Sequence, residues 1–279
     1  MSESLVVPQS SPLPVFERPP VAEVAIGVFF EPALSLTAPH IGKLHDRWKA
    51  DYPQLHEWAV AAPPVIDTPP NDLRSGLIIE WVQKSQLPRH AFVSSDDERV
   101  IQVQHDRLVH NWRREAAEYP HYSALLPLFT AALQGLAETL EEDSDALPLS
   151  AFEVTYINPI AVGGPYRQAR SIGDVLTFWP TTEVPVWLAE PELLASNLRV
   201  GIDSPDGARL GTLTASATSA RDAGSGDEVL LLTLVANGLL VDRTKTALLR
   251  SLDLAHESIV RAFAATTTPA MHDHWGRTR

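Results

Sequence analysis

The side chains best suited to bind a ligand are polar residues that interrupt otherwise apolar β-segments. They are Asn111 and Arg113 in the first half of the chain and Glu153, Tyr156 and Asn158 in the second half. Side-chain alternation places Asn111 and Arg113 on one face of their strand, whereas Tyr156 and Asn158 take the face opposite to Glu153. Two interpretations stay open. One face of an antiparallel sheet meets water, or these residues form a polar pocket between a sheet and helices that satisfies their buried polar groups.

Histidines supply two further candidates. His256 lies beside the apolar stripe of a predicted C-terminal helix, where it is either hydrogen-bonded at the sheet surface or a buried, pH-sensitive group. The candidate ligand-binding residues are therefore Asn111, Arg113, Glu153, Tyr156, Asn158 and His256. The run His272-Asp273-His274 has the spacing of metal ligands, but zinc sites take three or four protein ligands and no third ligand is evident. We predict no metal site.

Signatures of catalysis are absent from the sequence. No glycine-rich loop joins a strand to a helix, so neither a P-loop nor a dinucleotide fingerprint is present. The run Ala223-Gly224-Ser225-Gly226 lacks the apolar strand that a nucleophile elbow requires. The chain has no cysteine, and no pair of carboxylates is placed for acid–base catalysis. We predict no catalytic residue and no cofactor.

Charge and composition restrict the function further. The chain of 279 residues has a net charge of −13, and its 22 basic residues are scattered, which opposes binding to nucleic acid. The seven tryptophans are spread through both halves, whereas a base-stacking platform would group them with basic residues. The N-terminus has no signal-peptide pattern, and no apolar run is long enough to cross a bilayer. We therefore expect a cytoplasmic protein with no membrane partner.

The elements that would position these residues follow the same order twice. In the first half we predict a buried strand at 21–30, a helix after Thr37, strands at 76–83, 89–95, 100–104 and 107–112, and a long helix at 120–142. His105-Asp106 is either a hairpin turn or the middle of one long strand. Pro127 either kinks the long helix or precedes its regular part.

The second half repeats this order. We predict strands at 149–160, 184–189, 194–202, 208–219 and 228–237 and a terminal helix at 242–266. Ser171-Ile172-Gly173-Asp174 has the pattern of a capping box and predicts a short helix after the first of these strands. The acidic segment 141–148, which ends in proline, predicts the boundary between the halves.

This order predicts an α+β fold of two similar β-α-β(3–4)-α halves, with antiparallel sheets covered by long helices in a helix-grip or saddle-like shape. The predicted division is an extended or disordered arm at 1–20, a first half at 21–145, a second half at 149–267 and a C-terminal tail at 268–279. Whether the two sheets join into one stays open.

Several motifs in a fixed order give the chain a family resemblance. They are PVAEVAIGVFFEP at 20–32, IQVQHDR at 101–107, VHNWR at 109–113, EVTYINPI at 153–160, AHE at 255–257 and AF at 262–263. Together they resemble a sporadically distributed, uncharacterised prokaryotic family of about this length, over residues 18–276. The resemblance implies no assigned activity and transfers no catalytic residue. The patchy occurrence of that family is similar to that of phage-defence or toxin–antitoxin genes.

Two classes of function follow from these observations. The first is a non-catalytic binding or assembly protein that acts with a protein partner or as a homodimer, using apolar faces and edge strands. The resemblance adds a role in phage defence or a toxin–antitoxin-like system. The alternative is a small-molecule-binding or enzymatic helix-grip protein with a polar pocket between the sheet and the long helices.

Overall fold

The computed structural model of the protein describes residues 12–61, 88–116, 118–167, 169–179, 195–203, 207–221 and 226–279. The strands in these ranges are β1 (Glu23–Phe30), β2 (Gln54–Trp58), β3 (Arg89–Val93), β4 (Arg99–Gln104), β5 (Arg107–Arg113), β6 (Leu149–Ala161), β7 (Ala195–Asp203), β8 (Arg209–Arg221) and β9 (Glu228–Leu239). They form one antiparallel sheet in the order β2-β3-β4-β5-β1-β6-β9-β8-β7. The strands predicted at 76–83 and 184–189, and residues 1–11 of the predicted arm, lie outside the described residues.

The helices are α1 (Ala38–Trp48), α2 (Tyr122–Thr139), α3 (Lys245–Thr266) and the short α4 (Pro269–His274). At the start of α3, the Thr244 side chain accepts a hydrogen bond from the backbone N–H of Ala247, which satisfies a helix donor that would otherwise lack a partner. α2 continues through Pro127. The helices predicted at 120–142 and 242–266 are therefore confirmed, with shorter bounds.

Strand pairing assigns every strand side chain to one of two faces of the sheet. Val24 of β1 lies beside Trp112 of β5 and Tyr156 of β6. These residues belong to the hydrophobic core, and α2 and α3 pack on the same side of the sheet. We call this side the helix-side face. The opposite side, called the far face, carries Asn111 and Glu153, which pair with Ala25 and Gly27 of β1.

The prediction of two β-α-β-sheet-α halves covered by long helices is wrong. β1 and β6, the first strands of the two predicted halves, pair with each other from Glu23 opposite Ile157 to Phe29 opposite Ala151. Both edges of a buried strand need hydrogen-bond partners, and β1 obtains them from β5 and β6, which makes the sheet continuous. The α+β content remains, but the helix-grip or saddle-like description does not hold.

The short helix predicted after the first strand of the second half is a 3-10 helix rather than an α-helix. Ser171-Ile172-Gly173-Asp174 lies in a 3-10 helix, Ala169–Asp174, and no α-helix occurs between β6 and β7 in the part of that connection that the structure describes. α2 contacts α1, β5 and β1, whereas α3 contacts β6, β9 and β8. The two long helices therefore cover different parts of one sheet, α2 the part with β5 and β1 and α3 the part with β6, β9 and β8.

The segment around His105-Asp106 is a hairpin turn. Gln104, the last residue of β4, pairs with Arg107, the first residue of β5. This pairing decides between the two alternatives that the sequence left open, because two residues joining antiparallel neighbours form a tight hairpin.

No helix within the described ranges is long and apolar enough to cross a membrane.

Candidate functional site

A cavity of about 430 Å³ lies between the helix-side face, the start of α2, α3 and the segment 13–21. Its buried floor consists of Tyr156, Asn158 and Leu234. Exposed residues form the rim, among them His121 and Ser123. The cavity is therefore closed by the sheet below and open to solvent at its mouth.

Regular spacing along two elements brings the cavity residues together. Tyr156 and Asn158 are two apart on β6, so both side chains project from the helix-side face. On α3, four residues at intervals of three and four form one surface over the cavity: His256, Ile259, Val260 and Phe263. A strand and a helix that pack together thus supply most of the floor and one wall.

Residues of the N-terminal segment 13–21 form another wall of the cavity, and the segment is hydrogen-bonded to the C-terminal residues. The backbone N–H groups of Glu17 and Arg18 donate to the carbonyl oxygens of Gly276 and Trp275, both at 3.0 Å. The ring of Phe16 packs edge-on against that of Phe263, with 5.4 Å between ring centroids. This aromatic contact anchors the segment.

A chain of hydrogen bonds crosses the base of the cavity. The hydroxyl oxygens of Tyr119 and Tyr156 are 2.9 Å apart, and the Tyr156 hydroxyl is 2.9 Å from Nδ1 of His256. The ring of Tyr122 stacks on the imidazole of His256 at 4.0 Å and 4° between ring planes. The Tyr122 hydroxyl donates to Asp253 at 3.2 Å. These contacts fix the orientation of His256.

Burial keeps the side chains of this hydrogen-bond chain uncharged at neutral pH. Desolvation raises the pKa of Tyr119 to about 12 and raises the pKa of Tyr156 and Tyr122 well above the usual tyrosine range. Desolvation lowers the pKa of His256 to about 4. Burial disfavours the charged form of each group, so the cavity floor offers neutral hydrogen-bond donors and acceptors.

The structure divides the six predicted site residues between the two faces. Tyr156, Asn158 and His256 line the cavity. Asn111, Arg113 and Glu153 lie on the far face, so no single pocket contains all six. Alternation along each strand is as the sequence predicts, but the sheet itself separates the two groups.

The far-face residues have partners of their own. The Asn111 side chain donates to Glu23 at 2.6 Å and accepts from Gln102 at 2.6 Å. Asn237 donates to Glu153 at 3.2 Å, and desolvation raises the pKa of this carboxyl group. The guanidinium of Arg113 donates to the carbonyl oxygen of Asp97. These bonds give Asn111, Glu153 and one guanidinium nitrogen of Arg113 partners among the described residues, whereas the Nε atom of Arg113 is buried without one.

Sequence reasoning missed Tyr119 and the role of Tyr122. Tyr122 reads only as the first member of an apolar helix stripe, and Tyr119 precedes the helix. The grouping of Tyr119, His121 and Tyr122 around the start of a helix was a signal that could have identified them, since amphipathic aromatic residues favour binding surfaces.

The run His272-Asp273-His274 forms the last three residues of α4. His272 is buried, and its ring nitrogens lie 3.0 Å from the Thr267 hydroxyl and 3.1 Å from the guanidinium of Arg277. Within the described part of the chain, no group of three or more His, Cys, Asp or Glu side chains could hold a metal ion.

Comparisons of the chain with models of protein families, with curated protein sequences and with solved structures found no match.

Replacing Tyr156 with phenylalanine should lower the free energy of unfolding by about 2 kcal/mol, because it removes two hydrogen bonds from a buried site, one to Tyr119 and one to His256. Urea unfolding measures the change. Tyr52→Phe is the matched control, since it removes only the bond to His110 and should cost about 1 kcal/mol. Equal losses in the two variants would contradict the linked arrangement.

Proposed function

We propose that this chain is a non-catalytic binding protein whose cavity holds a small, uncharged and mostly apolar molecule. The observation that carries the proposal is the cavity of about 430 Å³, whose largely apolar walls enclose a neutral chain of tyrosine and histidine side chains. Small-molecule sites in proteins typically have volumes of about 300–1,000 Å³, apolar walls and a few polar groups that orient the ligand. The size and lining of this cavity agree with that description.

The charge of the cavity favours an uncharged ligand. The floor residues Tyr156 and Asn158 are buried and uncharged, and Arg279 stands at the exposed rim. An ion that entered would lose its hydration shell and meet no opposite charge on the floor, which costs several kcal/mol. A neutral molecule with an apolar body would instead gain from the burial of its surface.

The protonation properties of the site favour binding over catalysis. An efficient general acid or base has a pKa near the working pH. The pKa of His256 falls to about 4, and that of Tyr119 rises to about 12, so neither group exchanges protons readily near neutrality. The hydrogen-bond chain is suited to hold a ligand in one orientation.

The predictions of a protein partner or a homodimer, of phage defence or a toxin–antitoxin-like system, and of a cytoplasmic location stay predictions. A protein partner fits the proposal, because a non-catalytic binding protein acts through a second molecule that responds to its ligand-bound state.

The proposal is tested by filling the cavity. Val260→Trp places a large ring where the α3 wall now has a small side chain. N-phenyl-1-naphthylamine, a neutral apolar dye, should bind the native protein with a Kd of about 0.1 mM, as expected for a ligand of its size. Fluorescence titration of the variant should show binding at least about tenfold weaker, because the space is occupied.

The matched control is Arg250→Trp, which adds the same ring to the exposed surface of α3. It should bind the dye as the native protein does. Unchanged dye binding in Val260→Trp would place the dye elsewhere and would refute the proposed site.

A further inference from the structure

We infer that the cavity presents one interior side-chain hydrogen-bond donor, the Nε2–H group of His256, and that it takes ligands whose apolar body carries an uncharged carbonyl oxygen. This inference deepens the proposed function and rests on it. It depends on the direction in which the protons of the Tyr119–Tyr156–His256 chain point.

Two directions are compatible with the distances. In the first, Tyr119 donates to Tyr156, Tyr156 donates to Nδ1 of His256, and the proton of the neutral imidazole is on Nε2. In the second, Nδ1 donates to Tyr156 and Tyr156 donates to Tyr119. The second direction leaves the Tyr119 proton without an acceptor among the residues that the structure describes. The first gives every hydroxyl proton of the chain an acceptor.

The start of α2 favours the first direction. Desolvation raises the pKa of the Tyr119 hydroxyl, and a hydrogen bond from the backbone N–H of Tyr122, the first residue of the helix, acts against that rise. This N–H group is one of the helix donors without an intrahelical partner. A hydroxyl whose oxygen accepts a hydrogen bond is the stronger donor, so this bond favours the arrangement in which the Tyr119 proton turns toward Tyr156.

The Nε2 atom of His256 is left for the ligand. It has no hydrogen-bond partner among the described residues, and it is not sealed off from solvent, because His256 lines the cavity. Asn158 adds no further donor, since its amide group already donates to the carbonyl oxygen of Leu232 at 3.0 Å and faces that of Tyr156 at 3.4 Å. The remaining side-chain donors of the lining, on His121, Ser123 and Arg279, belong to exposed rim residues.

A neutral carbonyl oxygen fits this donor better than a carboxylate does. The ring of Tyr122 covers one side of the imidazole, and Tyr156 occupies Nδ1, so a ligand acceptor meets His256 only through Nε2. A carboxylate would have to give up its hydration for a single neutral donor, whereas a ketone or amide oxygen loses far less on burial.

Three naphthalenes of nearly equal size test the carbonyl preference by displacement of N-phenyl-1-naphthylamine: 2-acetonaphthone, 2-ethylnaphthalene and 2-naphthoate. The ketone should bind about fivefold more tightly than the hydrocarbon, which is the effect of one neutral hydrogen bond. The carboxylate at neutral pH should bind at least about tenfold more weakly than the ketone. Equal binding of ketone and hydrocarbon, or tighter binding of the carboxylate, would overturn the inference.

The double variant His256→Phe/Tyr156→Phe separates the donor from the shape of the site. The second substitution is needed because His256→Phe alone would leave the Tyr156 hydroxyl proton free to donate to a ligand. This variant keeps an aromatic ring against Tyr122 and removes the Nε2–H group. The affinity for 2-ethylnaphthalene should stay the same, while the preference for the ketone should fall to about onefold. A preserved ketone preference in this variant would contradict the assignment of the donor.

The imidazole tautomer can be observed directly in the native protein. A ¹⁵N–¹H correlation spectrum should show His256 with Nε2 protonated and Nδ1 unprotonated at neutral pH, and a protonated Nδ1 would overturn the inference whether or not the variant folds. The outcomes also separate the two proposals. If none of the naphthalenes enters the cavity, the proposed function fails; if all bind without preference, only the carbonyl inference fails.

Discussion

Lowering the pH from 7 to 4 should remove about 6 kcal/mol from the free energy of unfolding, mainly through His110 and His256. Burial lowers the pKa of each of these histidines from 6.5 to about 4. A tenfold change in proton affinity equals about 1.4 kcal/mol, so each histidine accounts for about 3 kcal/mol. A loss of this size approaches the total stability of many proteins.

The direction follows from proton linkage. Between pH 6.5 and about 4 the unfolded chain binds protons at these histidines and the folded protein does not, so acid favours unfolding. Their stabilising contribution is complete above pH 6.5 and is lost as the pH falls toward 4. Burial also lowers the pKa of His90 and His272, which adds to the loss. Glu153 acts in the opposite direction, because desolvation raises its pKa and protonation relieves its buried charge.

Urea unfolding at a series of pH values measures this loss. His110→Gln and His256→Asn replace each imidazole with a neutral group that retains a polar atom near the bonded ring nitrogen. Each variant should reduce the difference between pH 7 and pH 4 by about 3 kcal/mol. His56→Gln, at an exposed position on β2, is the matched control and should leave the difference unchanged. A pH dependence that all three variants share with the native protein would exclude this mechanism.

Replacing Gly238 with alanine should lower the free energy of unfolding by about 3 kcal/mol, the cost of overpacking a core that cannot yield easily. A Cβ atom at this position of β9 would collide with the carbonyl oxygen of Leu210 and would lie 2.9 Å from the ring of Phe152. The obstacle includes backbone and a fully buried ring, so no flexible side chain can move aside.

Gly42→Ala is the matched control for Gly238→Ala. A Cβ atom at Gly42, within α1, meets no atom within 4 Å. Alanine should therefore stabilise the helix by about 1 kcal/mol, because it has the higher helix propensity. Thermal unfolding of the two variants should show shifts of opposite sign. Equal shifts would mean that the close contact at Gly238 does not exist.

Local pattern was sufficient to predict much of the secondary structure. The apolar spacing of Leu248, Leu252 and Ile259 predicts α3, because a helix packed on one side must bury one stripe. The alternation within 152–160 correctly predicts that Tyr156 and Asn158 share a face. Such signals depend only on neighbours in the chain.

Two short elements were predicted less well. β2 was missed, because this edge strand of five residues is mostly exposed and shows no regular apolar alternation. The 3-10 helix Ala169–Asp174 carried the sequence pattern of a capped α-helix. A capping pattern stabilises a helix start, but a helix of useful length also needs an apolar face to bury.

Strand pairing could not be predicted from the sequence. β1 and β6 are both largely buried strands. Their residues do not indicate that β1 pairs with β6 rather than with a second strand of its own half. Backbone hydrogen bonds are the same for every partner, so the choice depends on the packing of the whole sheet. The prediction of two halves failed at this step.

The sequence by itself determined which residues are polar within apolar strands, which side chains share a face, and where the long helices run. Only the tertiary structure decided which face the helices cover, and therefore that Tyr156 and Asn158 share a cavity with His256 while Asn111 and Glu153 do not. The cavity and the shifted pKa values of its side chains exist only in the folded protein, where those side chains are buried. The pKa shifts arise from the desolvation of groups that lie far apart in the chain, and no local pattern encodes that change of environment.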